Sequence, residues 1–172
     1  MRRDIEAIKH AGAQGVVIGA LRSDGAVDEE TIAMLVAAAA PALSVTFHRA
    51  FDCCLEPLQA LQTLMRLGVD RLLTSGQAST AWEGRELIKT LVEQACGRIV
   101  VMPGAGVTEH NIWPLLEHTG AVEAHVGSAC HEDIFQSGLV RLGCSYQGDE
   151  HAIRRVSAQK VGALVKMIQC EK

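Results

Sequence analysis

Aromatic residues make up only 3% of this 172-residue chain. That scarcity removes the stacking platforms on which single-stranded nucleic acids are held. Positive charge is thin as well. Sixteen Lys and Arg stand against twenty Asp and Glu, a net charge of −4. The basic pairs Arg2-Arg3 and Arg154-Arg155 are isolated, as expected of solvated helix faces rather than of a nucleic-acid footprint. No apolar run approaches the roughly 18 residues of a membrane span, and the start, Met1-Arg2-Arg3-Asp4-Ile5-Glu6, lacks the apolar core of a signal peptide. Neither nucleic acid nor membrane is therefore expected as a partner. The expected location is the cytoplasm, with the nucleus as the alternative.

Other absences narrow the chemistry. The six cysteines (Cys53, Cys54, Cys96, Cys130, Cys144, Cys170) contain no Cys-x-x-Cys pair, which argues against a structural zinc site. In a reducing compartment they are mostly thiols. The five lysines (Lys9, Lys89, Lys160, Lys166, Lys172) fall away from every predicted strand exit, so a Schiff-base mechanism has no amine to use. There is no nucleophile-elbow wording and no His-x-x-x-His zinc pair.

What is present is an apolar fraction of 48% against 21% charged residues, enough for one packed domain over residues 1–172. Short apolar runs recur at 16–19, 45–48, 72–75, 99–102 and 123–126, their starts 29, 27, 27 and 24 residues apart. Helical patterns fill the gaps, over 31–39, 58–67, 82–96 and 111–118, and residues 1–13 read as a helix with no strand before it. Gly12, Gly68 and Gly120 stand where three helices should stop. Strands and helices alternating at this period predict βαβ units on a parallel sheet.

The polar residues fall at the strand exits, where parallel α/β folds place their ligand sites. In Val45-Thr46-Phe47-His48 the alternation puts Thr46 and His48 on one face and Val45 and Phe47 on the other. Arg49 and Asp52 follow at once. His48 is a candidate acid/base group or metal ligand and Arg49 an anion clamp. The alternative is a buried histidine beside a structural Arg49–Asp52 ion pair. Glu123 and His125, two residues apart, share a face and could act as a second acid/base pair or a structural one. Thr74-Ser75-Gly76, Gly104-Ala105-Gly106 and Gly127-Ser128 supply glycine and hydroxyls at the last three exits. Such loops can turn backbone N–H groups toward an anion, which makes Thr74, Ser75, Gly76, Gly104, Gly106 and Ser128 candidate contacts for a small anionic or phosphorylated ligand.

The wording of three segments is specific. Thr46-Phe47-His48-Arg49-Ala50-Phe51-Asp52, Arg71-Leu72-Leu73-Thr74-Ser75-Gly76 and Val101-Met102-Pro103-Gly104-Ala105-Gly106-Val107 resemble the CutC family of copper homeostasis proteins. The resemblance runs over essentially the whole chain, from that family's third helix onward. It implies a TIM-barrel-like (β/α)8 fold of which about five βα units are present and the first three strands are absent. An eight-unit barrel takes about 250 residues. Met1 then corresponds to an internal methionine of a longer ancestor, the alternative being an open five-stranded sheet that evolved as such. The family pattern also carries an acidic residue and a histidine at Glu123 and His125. Copper is the implied cofactor. As Cu(I) it prefers thiolate and thioether ligands, and Cys54, Cys130 and Met102 all follow or end predicted strands. A copper-binding protein is the leading expectation, and a barrel enzyme or a non-catalytic fragment are the alternatives. An unclosed barrel exposes edges and interior, so a homo-oligomer is expected.

Overall fold

The computed structural model describes residues 1–135 and 152–170. These fall into two compact units, Met1–His125 and Val126–Lys172. Cys144 lies outside the described residues.

In the first unit helix α1 (Arg2–His10) leads into β1 (Gly15–Ile18), α2 (Glu29–Ala39), β2 (Ser44–Phe47), α3 (Pro57–Arg66), β3 (Arg71–Thr74), α4 (Arg85–Ala95), β4 (Val100–Pro103) and α5 (Ile112–Thr119). The four strands form one parallel sheet in sequence order, with Val17 opposite Thr46, Phe47 opposite Leu72 and Leu73 opposite Met102. These are the βα units on a parallel sheet that the spacing predicts, and the arrangement is TIM-barrel-like, as the resemblance implies. The fifth unit is reduced: the 123–126 segment meets β4 at one bridge, Gly104 with His125. A hollow of about 180 Å³ is lined by residues of both segments, Val100 and Val122 among them.

Local chemistry explains the elements. Asp28 caps α2, its carboxylate accepting from Thr31 N at 3.0 Å and Thr31 Oγ1 at 2.7 Å. Pro57 opens α3, where a missing N–H costs nothing. Gly68 and Gly120 end their helices at φ +79° and +72°, a conformation that opposes any side chain. Ile32, Leu35, Leu61, Leu64, Ile88, Leu91 and Leu115 are fully buried against the sheet. Each contributes about 1.5–3 kcal/mol of transfer free energy.

The strands are two-sided. Val16, Ile18, Val45, Phe47, Leu72 and Val101 are buried on the helix-covered face. Gly15, Val17, Ser44, Thr46, Arg71, Leu73, Val100 and Met102 alternate onto the other, which is more open. Val17 there is 62% exposed.

In the second unit β5 (His131–Phe135) pairs antiparallel with β6 (Ala152–Val156), and α6 (Ala158–Cys170) follows. Register places Glu132 opposite Arg155 and Asp133 opposite Arg154, with the first pair joined at 2.8 Å. Opposite charges directly across a ladder favour that register. Arg154-Arg155 therefore sits on a strand, not on the helix face expected from its isolation. Its partners stand more than twenty residues upstream, beyond the reach of local pattern.

The tightest backbone approach is where β3 leaves the sheet and α4 begins. A Cβ on Gly84 would stand 2.0 Å from the Ser75 carbonyl oxygen, whereas one on Gly97 would meet nothing within 4 Å. Gly84→Ala is expected to cost about 2–3 kcal/mol through overpacking. Gly97→Ala should cost about 1 kcal/mol, through its positive φ alone. Urea denaturation midpoints check the order, and equal losses would show that the β3–α4 approach is not constrained.

Candidate functional site

Phe51, fully buried, anchors a 3₁₀ turn, Arg49–Cys53, at the exit of β2. The anchor fixes where the neighbouring polar side chains point. Asp52 turns toward the exit of β3, and its carboxylate collects donors there. It accepts from Thr74 Oγ1 at 2.5 Å, from Ser75 N at 3.1 Å and from Gln77 N at 3.3 Å. Arg49 Nε completes the set at 2.7 Å. Only 9% of the Asp52 side chain is exposed. Burial pulls its carboxyl up, but the hydrogen bonds from Thr74, Arg49, Ser75 and Gln77 outweigh it, and the group is held below its ordinary value of 3.8.

This arrangement bears on the loop read as an anion cradle. The N–H groups of Ser75 and Gln77 and the Thr74 hydroxyl do converge on a negative group, and that group is Asp52 of the same chain. Ser75 Oγ accepts from Arg49 Nη2 at 2.8 Å, with the Ala78 carbonyl 2.7 Å away for its single proton. Gly76 N donates to Thr74 Oγ1 at 2.9 Å.

His48 caps the same turn. Its Nδ1 accepts from Ala50 N at 3.0 Å, so the neutral ring carries its proton on Nε2. The imidazole lies against Gly19 at the exit of β1, where a Cβ would stand 2.4 Å from the ring. His48, Arg49 and Asp52 thus sit together at the carboxyl ends of the strands.

Glu123 and His125 part company. Glu123 pairs with Arg71, the first residue of β3, through Nε at 2.8 Å and Nη2 at 3.0 Å, while Arg71 Nη1 donates to Ser44 Oγ at 2.8 Å. The side-chain bond and the charge of Glu123 raise the Arg71 pKa further above its ordinary value. His125 is exposed beside Gly104. In the 104–108 loop, Ala105 O accepts from Ala81 N at 2.9 Å, and Asn111 takes up Thr108 N at 2.8 Å and Gly106 O at 2.8 Å. Gly106 packs against Thr80. Ser128 and Cys130 belong to the second unit, in a 3₁₀ turn of their own.

Three residues of this site escaped the sequence reading. Arg71 carried a signal, since a charge inside an apolar strand needs a partner. Gln77, whose Nε2 donates to the Cys54 carbonyl, and Gly19 carried none.

The soft donors of the first unit do not fit a preformed copper site. Cys54 is buried, and burial followed by the Asp52 charge pushes its thiol up to about 11. Gln77 Nε2 lies 3.5 Å from its sulfur, and Cys53 faces outward. Met102 is half-buried on the open face of β4. Among the described residues no group of three or more His, Cys, Asp or Glu side chains is arranged to hold a metal ion. No described helix is long and apolar enough to cross a membrane.

A parallel sheet in strict sequence order with helices over one face and polar groups gathered at its strand exits is TIM-barrel-like. Within that class the chain belongs to the CutC family, whose model matches residues 1–130. The copper homeostasis protein cutC homologs of Mus musculus and Homo sapiens are each 46% identical to it over 167 residues, covering 95% of this chain and 61% of theirs. The chain thus spans about three fifths of the length of these relatives. The crystal structure of CutC from Streptococcus agalactiae superposes with a TM-score of 0.68 at 33% identity, over 72% of this chain and 60% of that one. A native KDPGal structure, at 21% identity and a TM-score of 0.60 over 98% of this chain and 65% of that one, shares the fold alone.

Asp52→Asn is expected to destabilise the chain at pH 7 by about 1–3 kcal/mol, because buried donors lose a charged acceptor. A carboxyl whose folded pKa is depressed contributes fully above its unfolded value and loses that contribution as pH falls through the folded one. The difference between wild type and variant should therefore be complete at neutral pH and close below about 3.8. Denaturation midpoints from pH 7 to pH 3 test this, and a gap that does not change with pH would overturn the role given to the carboxylate.

Proposed function

We propose that this chain takes part in copper homeostasis in the cytosol, with Cu(I) as its cargo. What carries the reading is 46% identity to relatives named copper homeostasis proteins, over nearly all of the chain. Cys54, Met102 and Cys130 are the soft donor types that Cu(I) prefers, though not arranged as a preformed site. The buried, neutral Cys54 thiol sets the condition under which it has to be tested, because a thiol must lose its proton to ligate.

Under anaerobic reducing conditions the chain is expected to withdraw Cu(I) from a coloured chelator in preference to taking up Zn(II). The triple variant Cys54→Ser, Cys130→Ser, Met102→Leu should lose most of that uptake. Undiminished uptake by the triple variant would remove these three residues as ligands, and no uptake by the wild type would remove direct copper binding.

A second reading follows from the exits of β2 and β3: an enzyme acting on a small anionic or phosphorylated metabolite. Arg49 is 45% exposed there and His48 carries a ring N–H in its neutral form, a pair suited to an oxyanion. Phosphate is then expected to raise the melting temperature by binding the native state. Arg49→Ala should abolish most of the shift. A wild type indifferent to phosphate and sulfate would leave the donors at these exits a structural role only.

A further inference from the structure

A second hollow of the first unit, about 310 Å³, lies between the β1–α2 connection and the first turns of α3. That volume is within the range of small-molecule sites. Two successive βα units build it, tied together by a backbone bond from Leu55 N to Gly25 O at 3.3 Å. Val27 and Ala60 are the buried, apolar part of its lining. Most of the charge around it is spent inside the chain. Arg22 holds Asp24 through Nε at 3.2 Å and Nη2 at 2.6 Å, and Glu29 is taken by Arg66 at 2.8 Å. Two groups are left over. Glu56 stands at the N-cap position of α3, yet its side chain caps no N–H and pairs with no described cation. Thr63 is only 9% exposed in the wall of the hollow, and its hydroxyl bonds to no described residue. Thr90 and Thr119, on other helices, each donate to the carbonyl four residues back, at 3.0 and 2.7 Å. Thr63 does not, and a buried hydroxyl without a partner is costly.

We propose that this hollow binds a small organic ammonium ion, its nitrogen at Glu56, its apolar body over Val27 and Ala60, and a polar far end at Thr63. The sign follows from the pairing. With Arg22 and Arg66 engaged, the unspent charge in the wall is a carboxylate, and it repels an anion. The helix dipole at the start of α3 favours a negative group there, and Glu56 already supplies it. A bare metal ion is not the occupant, because no three His, Cys, Asp or Glu side chains among the described residues are grouped to hold one. The length follows from the helix. Glu56 and Thr63 are seven residues apart on or beside α3, about 10 Å along its axis. An ion that satisfies both must therefore be extended, with an apolar stretch between its polar ends. Gln59 and Thr63 also border a hollow of about 330 Å³ toward Arg66 and Arg98. That one has no buried apolar residue in its wall, so an apolar body has nothing there to lie on. The inference is independent of both copper and the strand-exit oxyanion.

Titration of the full chain with tyramine at pH 7, followed by heteronuclear NMR, tests it. Tyramine carries an ammonium and a phenol at opposite ends of an apolar ring. Saturable shifts are expected at residues 22–29 and 55–63. Phenethylamine, without the hydroxyl, and 4-ethylphenol, without the charge, should each bind more weakly. Glu56→Gln should weaken tyramine about threefold to fivefold, the scale of an exposed ion pair, and leave 4-ethylphenol unchanged. Thr63→Val should make tyramine and phenethylamine equivalent. It should also hold or raise the melting temperature, because it removes a buried hydroxyl that has no partner to lose. Gln62→Ala, which touches only the other hollow, should change nothing. No saturable shift with tyramine up to about 10 mM overturns the proposal. So does binding of 4-ethylphenol as tight as that of tyramine, and so does binding that responds to Gln62→Ala and not to Glu56→Gln. A clear fall in melting temperature for Thr63→Val overturns it as well, since the hydroxyl would then already have a partner within the fold.

Discussion

A single carboxylate joins the exits of the second and third strands. Asp52 leaves β2 on a turn pinned by the buried Phe51, and it draws the Thr74 hydroxyl and the Ser75 and Gln77 amides onto itself. A buried charge must be paired and hydrogen-bonded to persist, so the position of this one constrains everything around it. Arg49 is held over the turn as its counter-ion. Gly76 and Gly84 must be small for the β3 exit to approach α4 closely enough. The neighbouring Cys54 thiol is pushed up by burial and then by the Asp52 charge. The loop's capacity for an anion is real, and an internal anion uses it.

The second constraint is topological. A parallel sheet of four strands, covered by helices on one face, has a natural completion in a closed ring. In this chain the fifth position is a segment held by a single bridge, while Glu123 reaches across to Arg71. That bidentate pair ties the fifth segment to the third strand without a backbone ladder between them.

These two constraints bear differently on the two functional readings. Copper chemistry asks for deprotonated or thioether sulfur within reach of one point, and in the first unit the sulfur of Cys54 is buried and protonated while Cys53 faces outward. Oxyanion chemistry asks for N–H groups at a strand exit, and Arg49 and the His48 ring supply them beside a loop already neutralised by Asp52. Family membership favours the first reading, and the geometry at the exits of β2 and β3 favours the second.

Periodicity alone determined the βα alternation, because a half-buried strand repeats every two residues and a helix every 3.6. Glycines at 68 and 120 marked the helix ends for a conformational reason that is local to the chain. The strand-exit position of His48, Arg49 and Asp52 was equally legible, since it depends only on where β2 ends. So was the Arg49–Asp52 pair, three residues apart. The other partners of Asp52 were not: they lie 22 to 25 residues away, and only packing of the β3 exit against the β2 turn brings them together. The same holds for Glu123, whose partner Arg71 is 52 residues distant, and for the strand on which Arg154 and Arg155 sit. Alternation could place Glu123 and His125 on one face, but it could not say that a guanidinium on another strand would claim the first and leave the second exposed. Local pattern fixes which groups stand at an exit, while the hydrogen bonds that use them up are set by contacts across the fold.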